Sequence, residues 1–139
     1  MYNDKKPRKN ILLVDDDEIH LEITEFALKD EYAVFLVKSG EEAFEFLEKS
    51  HIVPDLIILD ILMPTMDGWV TFDKIQDISS LKCTPIMFYS TLDEASAKEK
   101  AYELGAFDYI TKPCDQDVLL ERIKKTLEKA EFRKLQYGL

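Results

Sequence analysis

The chain of 139 residues has two cysteines, two histidines, few basic residues relative to acidic ones, and no long apolar run. Each shortage excludes something. A membrane-spanning helix needs roughly 20 consecutive apolar residues, so no membrane association is expected. Cys83 and Cys114 lie in different segments without a CxxC partner, which reads as ordinary reduced thiols and gives no sign of zinc. His20, in an acidic helix, and His51, in a loop, both read as solvated positions rather than as phosphohistidines. Eighteen basic against 28 acidic residues give a net charge of −10 and a pI near 4.7. Such a surface repels nucleic acid phosphates, so direct nucleic acid binding is not expected. The first ten residues carry no apolar segment that could act as a secretory signal, which makes a cytoplasmic address the default.

What is present suits one compact domain. Hydrophobic residues make up 46% and charged residues 33%, and at this length roughly two-thirds of the unfolded surface can be buried. Residues 1–9 read as a flexible polar tail, 10–130 as the domain, and 131–139 as a helix extension or tail. Strand-like runs at 11–15, 33–37, 55–60, 85–90 and 107–111 alternate with helix-like stretches at 18–30, 41–49, 68–76, 94–104 and 115–134. Continuous apolar strands such as Leu56-Ile57-Ile58-Leu59 imply burial on both faces, and strand-helix alternation implies right-handed crossovers. The fold class is therefore α/β, a doubly wound parallel sandwich of five strand-helix pairs. Ile19, Ile23, Phe26 and Ala27 are expected to form the buried face of the first helix; Trp69, Phe72 and Ile75 that of the third; Leu119, Ile123 and Leu127 that of the fifth. Ser39 with Glu42 suggests a capping box, Asp93 and Asp115 suggest caps for the last two helices, Asp17 and Glu18 suit a helix N-terminus, and Gly105 suits a helix stop.

In an open parallel sheet the functional crevice lies beyond the carboxyl ends of the strands. The first, third, fourth and fifth strands end in Asp15-Asp16, Asp60, Ser90 and Lys112. Several carboxylates in one crevice raise one another's pKa, a conflict that a divalent cation removes. Mg2+ is the candidate, because it takes hard oxygen ligands and retains waters and substrate phosphate. Asp60 would then be the nucleophile that accepts a phosphoryl group, with Lys112 and the Ser90 hydroxyl on the phosphoryl oxygens. Lys112 precedes a proline, and the Lys112-Pro113 bond is a candidate for the cis form.

The segments Leu12-Leu13-Val14-Asp15-Asp16-Asp17, Leu59-Asp60-Ile61-Leu62-Met63-Pro64 with Met66-Asp67-Gly68, Tyr89-Ser90-Thr91 and Tyr109-Ile110-Thr111-Lys112-Pro113 follow one another in a familiar order. Over about residues 9–130 the chain resembles the receiver domain of two-component response regulators. The resemblance implies a flavodoxin-like sheet of order 2-1-3-4-5 and phosphorylation of Asp60 by a sensor histidine kinase or histidine phosphotransfer protein. It further implies Mg2+ held by Asp16, Asp60 and the Leu62 carbonyl, with Asp15 acting through water. Ser90 and Tyr109 would form a switch pair that remodels the surface of the fourth helix, fifth strand and fifth helix for a downstream protein or output domain. Leu62 and Leu92 occupy positions where some members carry polar groups that orient water, which implies slow self-dephosphorylation, and Thr91 implies reduced access for small phosphodonors. Leu127, Ala130, Phe132 and Leu135 could offer a dimer surface, so the expected state is a monomer or a phosphorylation-dependent dimer.

Three other functions share parts of this pattern. An aspartate-based phosphatase would need its nucleophile after the first strand and a cap domain. A flavodoxin would need phosphate-binding donors where three aspartates stand. A phosphorylation-independent interaction module shares every motif and is distinguished only by whether Asp60→Asn alters partner binding.

Overall fold

The structure, a computed structural model, describes residues 7–137. Residues 1–6 of the expected N-terminal tail, and 138–139 of the expected C-terminal segment, lie outside this range. The elements in chain order are β1 (Asn10–Val14), α1 (Glu18–Leu28), β2 (Ala33–Val37), α2 (Gly40–Lys49), β3 (Leu56–Leu59), α3 (Gly68–Gln76), β4 (Ile86–Ser90), α4 (Ala95–Leu104), β5 (Asp108–Thr111) and α5 (Gln116–Tyr137). One short 3-10 turn, Ser79–Leu81, was not expected from the sequence.

All strand pairs are parallel, and the order is β2-β1-β3-β4-β5. Because side chains alternate along a strand, each central strand feeds two cores. Ile11, Leu13, Leu56, Ile58 and Met87 pack with Leu21 and Leu28 of α1 and with Leu119 and Ile123 of α5. Leu12, Val14, Ile57, Leu59 and Phe88 pack on the other face with Ala43, Phe72, Ile75, Ala97 and Ala101 of α2, α3 and α4. At about 1.5–3 kcal/mol for each fully buried aliphatic side chain, these two layers supply most of the driving force for folding. β2, at the sheet edge, is only half-buried.

The expected face of α1 is wrong by a rotation of the helix. Ile19, Ile23 and Phe26 are exposed at 66%, 63% and 67%, whereas Leu21, Thr24 and Leu28 face the sheet. This helix carries apolar residues on more than one stripe, so composition does not select its phase. The N-cap is consistent with the observed phase: Asp17 accepts hydrogen bonds from the Ile19 and His20 N–H groups and sets where the first turn begins. The stripes expected for α3 and α5 are correct, with Phe72, Ile75, Leu119 and Ile123 buried and Trp69 and Leu127 packed against them.

Caps explain most of the helix boundaries. Ser39 Oγ accepts from Glu42 N at 3.0 Å, but the Glu42 carboxylate returns to the N–H of Lys38, one residue before the cap, rather than to Ser39. Gly105 ends α4 with a φ of 107°, a left-handed conformation that glycine adopts without steric cost. Asp115 directly precedes α5, its carbonyl accepting from Leu119 N at 3.0 Å. Asp93 does not cap α4. The cap position belongs to Glu94, and Asp93 Oδ1 instead pairs with Lys98 Nζ at 2.8 Å and accepts from Thr111 Oγ1 at 3.2 Å, because a charge-assisted bond outcompetes a neutral backbone donor.

Candidate functional site

The acidic pocket is built by backbone ties between strand tips. The N–H of Asp60 donates to the Val14 carbonyl at 2.9 Å, and that of Lys112 to the Ser90 carbonyl at 2.8 Å. Each chemistry-bearing residue thus sits at the end of a strand that its neighbour holds in register. The loop after β3 folds back closely enough that Gly68 N donates to the Ile61 carbonyl at 2.9 Å. A Cβ on Gly68 would lie 2.6 Å from the Ile61 Cα, so glycine is what permits α3 to start here.

Asp15, Asp60, Ser90 and Lys112 are all buried, while Asp16 is exposed at the rim. Asp15, Asp16 and Asp60 each bring a carboxylate oxygen within 4.8 Å of the others. Lys112 Nζ is in close contact with Asp15 Oδ2 and stands 3.6 Å from Asp60 Oδ2. Asp60 Oδ1 accepts from Ile61 N at 2.7 Å and Leu62 N at 3.4 Å, which fixes the carboxylate rotamer and leaves Oδ2 toward the lysine. Burial pushes the Asp60 carboxyl above the usual carboxylate range; Lys112 and the Ser90 hydroxyl draw it back, and Asp15 pushes it up again. Three carboxylates and one ammonium leave a formal charge of −2, which one divalent cation neutralises. The donor set, all hard oxygens, fits Mg2+.

Ser90 and Tyr109 meet at a single residue. Ser90 Oγ accepts from Leu92 N at 3.3 Å, and the Tyr109 hydroxyl donates to the Leu92 carbonyl. Tyr109 is buried, with its ring 6.1 Å from that of Phe88. Leu62 is half exposed beside Asp60. The Lys112-Pro113 bond is cis.

Two features escaped the sequence reading. His20 is not simply solvated: its side chain is 38% exposed and its Nδ1 lies 3.4 Å from Lys112 Nζ, whereas His51 is exposed as expected. Its position in the first turn of a helix that follows directly on Asp15 was the available signal. Asp108 and Arg122 form a two-pronged pair, Nε to Oδ2 at 2.6 Å and one terminal nitrogen to Oδ1 at 2.5 Å, and the Tyr102 hydroxyl donates to Asp108 Oδ1 at 3.0 Å. One carboxylate therefore ties α4, β5 and α5 together. Burial would raise the Asp108 carboxyl, but Arg122, the Tyr109 N–H and the Tyr102 hydroxyl outweigh it and hold it below the ordinary value.

A doubly wound parallel sheet carries three acids, a hydroxyl and a lysine at its carboxyl edge, and comparison with known proteins is specific. The family model of the response regulator receiver domain matches residues 11–124. Transcriptional regulatory protein CrdR of Helicobacter pylori is 35% identical over 119 residues, 85% of this chain and 54% of that protein. Response regulator PleD of Caulobacter vibrioides is 33% identical over 115 residues, 82% of this chain and 25% of that protein. Among solved structures, a response regulator from Chloroflexus aurantiacus superposes with a TM-score of 0.80 at 35% identity, covering 88% of this chain and 99% of that one. Chemotaxis protein CheY4 of Vibrio cholerae gives 0.79 at 28% identity, covering 86% and 98%. The chain belongs to the response regulator receiver domain family. That membership places it in two-component phosphorelay signalling, as a signalling domain rather than an enzyme of the ordinary kind. The chain spans between a quarter and just over half of the curated relatives it matches. Among the described residues no helix is long and apolar enough to cross a membrane.

Proposed function

We propose that Asp60 is the phosphoacceptor, taking its phosphoryl group from a histidine of a sensor kinase or phosphotransfer protein. One observation carries this reading: a buried lysine stands between Asp15 and Asp60 at the strand tips, with Asp16 alongside. Asp60 Oδ2, the oxygen without a backbone donor, attacks phosphorus; the new O–P bond forms as the N–P bond to the donor imidazole breaks, leaving an aspartyl phosphate and a free imidazole. Lys112 then turns from Asp15 to a phosphoryl oxygen, and the Ser90 hydroxyl, whose oxygen accepts from the Leu92 N–H, donates its own proton to another. Asp16, Asp60 and the Leu62 carbonyl would hold Mg2+, with Asp15 acting through water, and when bound the ion supplies charge neutralisation at the transferring group.

Leu92 links the two members of the switch. Movement of Ser90 toward the phosphoryl group shifts the residue whose carbonyl holds the Tyr109 hydroxyl, so the ring of Tyr109 and the surface formed by α4, β5 and α5 respond together. A downstream protein or output domain reads that surface, and phosphorylation-dependent dimerisation is a further form of the same output. The aliphatic Leu62 and Leu92 give no polar group to orient an attacking water, which supports a long-lived phosphoryl group. Thr91, exposed at the mouth, narrows access for small donors. The free thiols of Cys83 and Cys114 suit work in the reducing cytoplasm.

The test is phosphotransfer from a phosphorylated histidine kinase in Mg2+, comparing wild type with Asp60→Asn, together with partner binding before and after transfer. Label on the wild type alone, with a change in partner affinity, is expected. Equal labelling of both proteins removes Asp60 as acceptor, and partner binding indifferent to Asp60→Asn favours a phosphorylation-independent module.

A further inference from the structure

We propose that His20 is a positioning residue for Lys112, holding the ammonium at the mouth of the acidic pocket by accepting a hydrogen bond at Nδ1; the inference rests on Asp60 as phosphoacceptor. A lysine ammonium carries three N–H donors and no acceptor. Two acceptors lie within hydrogen-bond range of this one, Asp15 Oδ2 in close contact and His20 Nδ1 at 3.4 Å, while Asp60 Oδ2 at 3.6 Å stands just outside that range as an ion-pair partner. The face of the Tyr89 ring, 5.2 Å from Nζ, closes a further side. Since Lys112 is buried, an N–H without an acceptor would forfeit its hydration with nothing in return.

Unlike the two carboxylates, an imidazole carries no negative charge. With its proton on Nε2, the imidazole satisfies one donor while leaving the charge of the lysine available to a phosphoryl group. The carboxylates of Asp17 and Asp15 lie 3.6 and 3.9 Å from Nδ1, beyond hydrogen-bond range, so among the described residues Lys112 is its hydrogen-bonding neighbour. The backbone of His20 is anchored at the helix start, because Asp17 Oδ1 accepts from its N–H at 3.2 Å. Lys112 must leave Asp15 to reach a group on Asp60. An acceptor without negative charge lets it pivot there with no second carboxylate pulling it back. His20, Thr91, Lys112 and Pro113 also line a cleft of 270 Å³ beside the pocket, so the same side chain stands where a donor approaches.

Two measurements on the full chain test this. In nitrogen NMR spectra of the His20 ring at a pH where it is neutral, Nδ1 should be unprotonated and carry the shift of a hydrogen-bond acceptor, and Lys112→Met should move it toward the free-imidazole position. In Mg2+, His20→Leu should weaken binding of the phosphoryl mimic beryllofluoride about tenfold, the scale expected for one hydrogen bond from a charged donor. His20→Gln, whose amide oxygen is again an acceptor, should recover most of that loss. A proton on Nδ1, an Nδ1 shift indifferent to Lys112→Met, or beryllofluoride binding by His20→Leu equal to wild type overturns the inference while leaving the phosphoacceptor reading intact. Wild type that neither binds beryllofluoride nor labels at Asp60 removes both.

Discussion

Asp60→Asn should make the protein more stable at neutral pH, although it abolishes the proposed phosphorylation. The carboxylate is buried, with only 9% of its side chain exposed, and has like charges within 4.8 Å. At an effective dielectric near 20, each such pair costs about 3.5 kcal/mol, and Lys112 at 3.6 Å returns about 4.6 kcal/mol. Asp16 is exposed and its share is screened, so the Coulomb contributions nearly cancel and desolvation of the charge decides the sign. The amide keeps an oxygen for the Ile61 N–H and carries no charge, so a gain of about 1–3 kcal/mol is expected. The pH dependence follows from the same raised pKa. Between the unfolded value of 3.8 and the higher folded value the native state binds more protons, so this contribution weakens the wild type as pH rises through that window. Urea unfolding in chelator should therefore show Asp60→Asn ahead at pH 7, with the gap closing on acidification toward the unfolded value. Equal or lower stability of the variant at pH 7, or a gap that widens in acid, would refute the reasoning.

Mg2+ at a hundred times its dissociation constant should stabilise the wild type by about 2.7 kcal/mol, and Asp16→Asn or Asp60→Asn should lose most of that gain in the same unfolding assay. Asp108→Asn should cost about 1–2 kcal/mol, reduced from the full value of a paired buried charge because Arg122 is 39% exposed. Its carboxyl is held low, so the contribution is complete above the unfolded value of 3.8 and is lost as pH falls through the lower folded value; denaturant midpoints at pH 7 and in acid will show whether the difference from wild type shrinks. Leu28→Ala should cost about 2–5 kcal/mol, whereas Ile23→Gln on the exposed stripe of the same helix should stay within about 0.5 kcal/mol; the reverse order would restore the face first expected for α1.

The parts of this domain that could be read from its residues are those determined locally. An apolar run buried on both faces and ending in a polar residue marks a strand tip, so the ends that carry Asp15, Asp60, Ser90 and Lys112 were visible, as were the α3 stripe and the Gly105 stop. What was hidden depends on how elements face one another. α1 offers two apolar stripes, and only its docking on the sheet picks Leu21 and Leu28 over Ile19 and Ile23. Asp93 looked like a helix cap from its position, but its carboxylate pairs with Lys98 and Thr111 instead. Asp108 and Arg122 are 14 positions apart on different elements, and nothing in their spacing announces a pair. His20 looked solvated because its neighbours in sequence are acidic, while the group it touches, Lys112, arrives from the far end of the sheet. Between a helix extension and a tail after residue 130 the sequence did not decide, since Phe132 and Leu135 are exposed and a solvated helix leaves a weak pattern; α5 runs on to Tyr137.

The most direct measurement is chemical trapping of the modified residue. After incubation with Mg2+ and a phosphodonor, borohydride reduces an aspartyl phosphate to homoserine, which peptide mass spectrometry locates to a single position. Homoserine at position 60, absent when the donor is omitted, is the predicted result. Reduction at another aspartate, or none in a protein that has demonstrably taken up phosphate, would contradict the account.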